Sequence, residues 1–260
     1  MIKTRDRLGN ENYNTYGTLM KIVIYNKATD IVVEFQDEYK YRKRCAYKEF
    51  KNGTVKNPYD RVICNVGYIG KDGQCNGLFY DIWTHMVKRC YDPYELNKYP
   101  TYIDCYVCDE WLNYSNFEKW CYANYYKVLN EKMCLDKDIL IKGNKIYSPK
   151  TCIFVPERIN LLFCKSEKTR GKYPIGVSEF LRKQYGYRKL RSYCNVYNEE
   201  SNRYKQKHLG YFPLDKPFQA FYTYKQFKEN YIKQVANEYK DLIPLNLYNA
   251  LYSWEVEIND

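Results

Sequence analysis

The sequence predicts an α+β protein of several small domains, and three observations carry that prediction. β-rich runs bounded by turn residues cluster near both ends, at LMKIVIYN and IVVEF and again at YPIGVSEF, KLRSYCNVYN and KQKHLGYF. Apolar residues recur at helical spacing in the middle of the chain and again beyond residue 216. Gly, Pro and Asn punctuate the joins. A chain of 260 residues can bury two or three small cores, and its 45% hydrophobic content excludes a disordered polymer. The 18% aromatic share, with 32 Tyr, supplies bulk for cores and surfaces alike.

Composition also narrows the compartment. No run of about 18 apolar residues occurs, and the opening MIKTRDRLGN lacks an apolar signal core, so a soluble cytoplasmic protein with no membrane contact is expected. Eleven Cys without a secretion signal predict reduced thiols, and an odd number cannot all pair within one chain.

Taken in order, residues 1–16 are polar and read as a loose arm. Residues 17–70 read as a small β-barrel or curled sheet built from LMKIVIYN, IVVEF and EYKYRKRCAY. Arg42, Lys43 and Arg44 sit together on the last run, where they fit either a solvated strand or a phosphate contact. Residues 71–165 open with a helix over about 78–91. There Phe79, Ile82, Trp83, Met86, Val87 and Cys90 form one apolar face, while His85 lies on the polar face. Cys105 and Cys108 make a lone C-x-x-C, which without a second pair predicts buried or half-buried thiols rather than a zinc site. Ser115 and Glu118 have the spacing of a capping box for a second helix carrying Phe117, Trp120 and Cys121.

The stretch 135–160, LDKDILIKGNKIYSPKTCIFVPERIN, is the densest in chemistry. Asp136 and Asp138 share a face if they lie on a strand, so both could reach one Mg2+ or Mn2+ ion, with Lys137 turned away. Gly143-Asn144 signals a hairpin turn, and Pro156 suits the start of a helix carrying Arg158 and Asn160. Strand, turn, strand, helix is the ββα-metal outline; a charged, solvent-facing strand before a core helix fits the same spacing.

Residues 166–260 read as three strands followed by a helix over about 216–239. Its stripe is Ala220, Phe221, Tyr224, Phe227, Tyr231, Val235 and Tyr239. A last helix near 244–254 buries Leu247, Leu251 and Trp254 ahead of an acidic end at Glu255, Glu257 and Asp260. Of the net charge of +11, residues 1–70 carry +5, residues 71–164 carry 0 and residues 165–260 carry +6. A neutral centre between basic flanks suits a cation-holding site that grips a polyanion, although a Lys-rich composition alone also follows from an AT-rich gene. Between Lys172 and Lys207 the basic residues interleave with Tyr185, Tyr187, Tyr193 and Tyr204, so the sheet fits a groove reader as well as a solvated face. The candidate contacts are Arg182, Lys183, Arg188, Arg191, Arg203, Lys205 and Lys207.

Two parts of the chain resemble known families. IWTHMVKRCY, VCDEWLNYSNFEKW and LDKDILIKGNKIYSPKTCIFVP, over about residues 78–163, resemble the HNH-type homing-endonuclease-like proteins of phages and mobile elements. IGV at 175–177, HLGYF at 208–212 and the helical Ala220 and Tyr224 resemble the plant ethylene-response-factor type DNA-binding domain, over about 172–239. The resemblance implies a duplex-DNA-binding protein with a three-stranded sheet in the major groove and a single divalent cation that polarises a water. Asp136 and Asp138 would be the metal ligands, with Asn144 or Asn160 orienting the scaffold. The strand holding Asp136 lacks the His that serves that family as general base, and Thr151 stands where Asn is common after Ser-Pro. Losing a general base lowers hydrolysis by about 10²–10⁴. A catalytically degenerate DNA-binding or regulatory phage protein, or a module docking on a host protein through Tyr-rich surfaces, are the alternatives.

Overall fold

The computed structural model describes residues 7–164, 172–182, 186–198, 200–201, 203–258 and 260. In chain order the elements begin with β1 (Glu11–Tyr13), β2 (Leu19–Lys27), β3 (Asp30–Phe35), β4 (Arg42–Cys45) and α1 (Tyr47–Lys51). The middle holds α2 (Leu78–Tyr91), α3 (Pro93–Lys98), β5 (Tyr106–Val107), α4 (Asp109–Leu112), α5 (Tyr114–Asn124), β6 (Met133–Asp136) and β7 (Ile146–Tyr147). Next come β8 (Ile153–Pro156), α6 (Glu157–Asn160), β9 (Val177–Arg182), β10 (Tyr187–Asn198), β11 (Arg203–Phe212), α7 (Pro217–Glu238) and α8 (Leu245–Tyr252). The fold mixes α and β with several separate sheets, and among the described residues no sheet closes into a barrel. None of the described helices is long and apolar enough to cross a membrane.

Two compact units result. The first runs to Tyr125 and adds Gly143–Cys152; the second comprises Tyr126–Lys142 and Ile153–Asp260. Strand pairing explains the exchange, because β6 pairs antiparallel with β8 while β7 pairs parallel with β5. The segment 71–165 is therefore divided between the units.

In the first unit β1-β2-β3-β4 form one antiparallel sheet. Alternation sends Met20, Ile22, Ile31, Val33 and Phe35 inward against Phe50 and Val55. The opposite face carries a row in which Glu11 faces Lys21, Lys21 faces Glu34 and Glu34 faces Arg42. Unlike charges directly across strands stabilise one another, and ion pairs form at 3.2 Å for Lys21 with Glu11 and 2.7 Å for Arg42 with Glu34. Of the expected barrel or curled sheet, the closed barrel does not form: the described strands make an open sheet, since they pair in linear order and β1 does not meet β4. The expected loose arm is structured from Glu11, where β1 pairs with β2.

α2 forms where its periodicity predicts, burying Trp83, Met86, Val87 and Cys90. Trp83 Nε1 donates to the Trp111 carbonyl at 2.7 Å, and Trp111 packs on Phe117 and Trp120 at ring distances of 5.0 and 4.7 Å. Ser115 does not cap α5. Asn113, two residues earlier, accepts the Ser115 N–H at 3.0 Å, while Ser115 Oγ donates to the Ile69 carbonyl at 2.9 Å. Glu118, freed from capping, accepts from Tyr114 OH at 3.0 Å inside the core. All eleven cysteines are free thiols; Cys105 is buried and Cys108 half-buried.

In the second unit the sheet β11-β10-β9 packs on α7 through Val177, Leu190, Cys194, Ala220, Phe221 and Tyr224. Gly176 is required here: its φ is +75° and an added Cβ would lie 2.2 Å from the Tyr224 ring. α8 buries Leu247 and Leu251, whereas Trp254, expected inside, is half-buried against Phe163 at 4.4 Å. The acidic end is engaged as well, with Lys142 Nζ 2.9 Å from Asp260 and 2.8 Å from the Glu255 carbonyl. Leu190→Ala, at a fully buried site, is expected to cost about 2–5 kcal/mol in urea unfolding. Leu181→Ala, at a position 47% exposed on the same sheet, should cost less than about 1 kcal/mol.

Candidate functional site

The first candidate is the carboxylate pair of the second unit. β6 ends at Asp136, so Asp138 does not continue the strand and the two side chains do not alternate onto one face as expected. Asp136 itself causes the change. Its Oδ1 accepts the backbone N–H of Asp138 at 2.8 Å and of Ile139 at 2.7 Å, a side-chain-closed turn that bends the chain out of the ladder. Asp138 pairs with Lys137 at 3.1 Å, so Lys137 is turned toward the carboxylates and is itself buried. Burial, followed by the nearby Asp138 charge, raises the Asp136 pKa to about 6; the two backbone N–H bonds and Lys137 act the other way.

The expected strand–turn–strand hairpin does not form, because β6 and β7 take different partners. Gly143 adopts φ +78° as the turn requires. Asn144 belongs to the first unit and closes that turn locally, donating from Nδ2 to the Ile146 carbonyl at 2.7 Å. Thr151 Oγ1 donates to the same carbonyl at 2.7 Å. Asn160, the last residue of α6, lies in the second unit and is half-buried, its carbonyl accepting from Phe163 N–H at 3.2 Å. Arg158 on α6 is structural: it pairs with Glu238 at 2.5 Å and lies over the rings of Tyr197 and Tyr239.

The second candidate is the sheet β11-β10-β9. Leu190, Ser192 and Cys194 point to α7, so by period-two alternation Tyr187, Lys189, Arg191, Tyr193 and Asn195 face outward. Register adds Ser178 and Phe180 from β9 and Gln206, His208 and Tyr211 from β11 to that face. Phe180 and His208 both contact the Tyr211 ring, at 5.0 and 4.3 Å. The Arg191 guanidinium lies 4.8 Å over Tyr193 and its Nη2 reaches Ser178 Oγ at 3.5 Å, while Lys189 Nζ lies 5.3 Å from the Tyr187 ring. Among the described residues this face carries no carboxylate.

The candidate contacts divide accordingly. Arg191 is on the outer face. Arg188 shares the side of Leu190 and acts on Glu179, whose pKa is lowered first by its hydrogen bond from Tyr173 and in part by the Arg188 charge. Lys207 faces α7, with Nζ 4.9 Å from the Phe227 ring, and Lys205 shares its side. Arg203 is exposed near the turn end of the hairpin, opposite Asn198. Arg182 ends β9, and Lys183 and Tyr185 lie outside the described residues. In the first unit Arg42 and Arg44 are committed to carboxylates, Arg44 gripping Asp30 at 2.6 and 3.0 Å; Lys43 is exposed on the edge strand. Sequence reasoning by charge alone missed Lys189, Phe180, Tyr211 and His208. The alternation of β10 about Leu190 and Cys194 was the signal that would have found Lys189.

Asp136 is expected to titrate near pH 6 in carboxyl 13C NMR, and Asp138→Asn should bring its midpoint down by removing the neighbouring charge. With the folded pKa above the ordinary value of 3.8, this group favours folding fully below that pH. Its contribution is lost as pH rises through about 6, so Asp136→Asn, which keeps the Oδ1 acceptor, should flatten the stability profile between about pH 4 and 6.

Compared with families of known proteins, with curated proteins and with solved structures, the chain matches none.

Proposed function

We propose that this chain binds nucleic acid through the outer face of β11-β10-β9, with duplex DNA as the ligand expected from its sequence. One observation carries the reading: the face presents Lys189 and Arg191 among aromatic rings without a carboxylate, while Arg42, Arg44 and Arg158 are each paired with one. Cations left available to a polyanion release its counterions on binding, which is the main source of sequence-independent affinity. The net charge of +6 over residues 165–260 adds long-range attraction.

A finer proposal is an HNH-like endonuclease that holds Mg2+ or Mn2+ at Asp136 and Asp138. The closeness of the two carboxylates supports it, since the Asp138 charge raises the cost of ionising Asp136 and a cation would relieve that repulsion. Against it, Asp136 Oδ1 already serves two backbone donors and no His stands on β6. A DNA-binding protein of that ancestry without cleavage is therefore the reading favoured here.

Fluorescence anisotropy with a 20-base-pair duplex tests the binding surface. Affinity should fall linearly in log–log form with salt, and Lys189→Ala with Arg191→Ala should flatten the slope by roughly one to two units. Arg42→Ala with Arg44→Ala should leave it unchanged. A double variant at Lys189 and Arg191 that binds like the wild type would exclude this face. Plasmid nicking with Mg2+ or Mn2+, compared with Asp136→Ala plus Asp138→Ala, tests cleavage; equal activity in both proteins would remove these residues from the mechanism.

A further inference from the structure

We infer that the outer face of β11-β10-β9 is built to stack unpaired bases, so that its preferred ligand is a single-stranded nucleic acid segment rather than an intact duplex. The inference rests on the reading that this face contacts nucleic acid, and it concerns which chemical surface of that ligand is recognised.

The face is aromatic as well as basic. Each of its three strands contributes a ring: Phe180 from β9, Tyr187 and Tyr193 from β10, Tyr211 and His208 from β11. Tyr187 is 38% exposed and Tyr211 48% exposed. An exposed aromatic cluster in a water-facing sheet marks a binding surface. From Tyr187 to Tyr193 the strand rises about 20 Å, a length that spans on the order of six stacked nucleotides at about 3.4 Å each.

In a duplex the flat faces of the bases are covered by their neighbours, and only edges and phosphates meet a protein. Rings have nothing to stack on there. Edge readout instead calls for long polar side chains reaching outward, above all a free Arg to pair bidentately with guanine. Arg191 is ill placed for that, because its guanidinium lies against Tyr193 and Ser178, and its Nε is buried without a hydrogen-bond partner among the described residues. Lys189 likewise lies along Tyr187. Cations held beside rings suit phosphates that flank stacked bases, the combination by which single strands are gripped without sequence preference. Unpaired DNA and unpaired RNA share this chemistry.

The test uses the full chain and three fluorescent probes at one salt concentration: a dT 20-mer, an rU 20-mer and a 20-base-pair duplex. The expected result is at least tenfold tighter binding of one or both single strands than of the duplex. Tyr187→Leu and Tyr211→Leu, at exposed positions where the apolar bulk is kept and only the ring is lost, should each weaken single-strand binding about tenfold. They should change duplex binding less than about threefold, with unchanged far-UV circular dichroism and melting temperature. Lys189→Ala, which removes charge and no ring, should weaken all three probes alike. The relative affinity of dT and rU assigns the strand chemistry. Duplex binding as tight as or tighter than both single strands, or single-strand binding indifferent to both Tyr variants, overturns the inference while leaving nucleic-acid binding in place. Failure to bind any probe at about 50 mM salt overturns both.

Discussion

The burial of one side of β10 against α7 decides the second unit. Leu190, Ser192 and Cys194 are sealed in that contact, and a one-residue slip would turn them outward and bring Lys189, Arg191 and Tyr193 into the core. The register that protects the apolar side therefore also selects which cations and rings reach solvent. Gly176 belongs to the same constraint, since the Tyr224 ring occupies the space a larger residue would need. Surface chemistry here is a by-product of how the core is packed.

The first unit spends its charges differently. Its four-stranded sheet sets unlike charges across from each other, so basic residues that look available in the linear sequence are used in ion pairs. Exposed pairs of this kind contribute little to stability, on the order of 0–1 kcal/mol each. Their local effect is to place a carboxylate beside each of these cations. Trp83, Trp111 and Phe117 supply the separate apolar core on which α2 and α5 rest.

Periodicity made the helices legible: α2 spans the residues that its apolar spacing marks, and α7 and α8 lie close to their expected limits. Strands near both ends were legible for the same reason. The 135–160 stretch was not, because its pairing is non-local: β7 finds its partner in β5, some forty residues earlier, and no local pattern encodes that choice. Asp136 was recognised as chemically notable, yet its turn-closing role depends on donors supplied by the following backbone, which any sequence provides. Ser115 illustrates competition between equivalent caps, in which Asn113 takes the role two positions earlier. The outer face of the C-terminal sheet was half legible, since counting charge along a segment mixes both sides of a strand that alternation keeps apart.

The Lys-bearing strand β11 has one more consequence. As the free margin of its sheet, it exposes backbone donors and acceptors along ten residues, the kind of border onto which another extended chain can add. Arg203, Lys205 and Lys207 place three like charges along that border. A second copy arriving edge to edge would bring the same charges against them, and like charges facing each other across strands are destabilising.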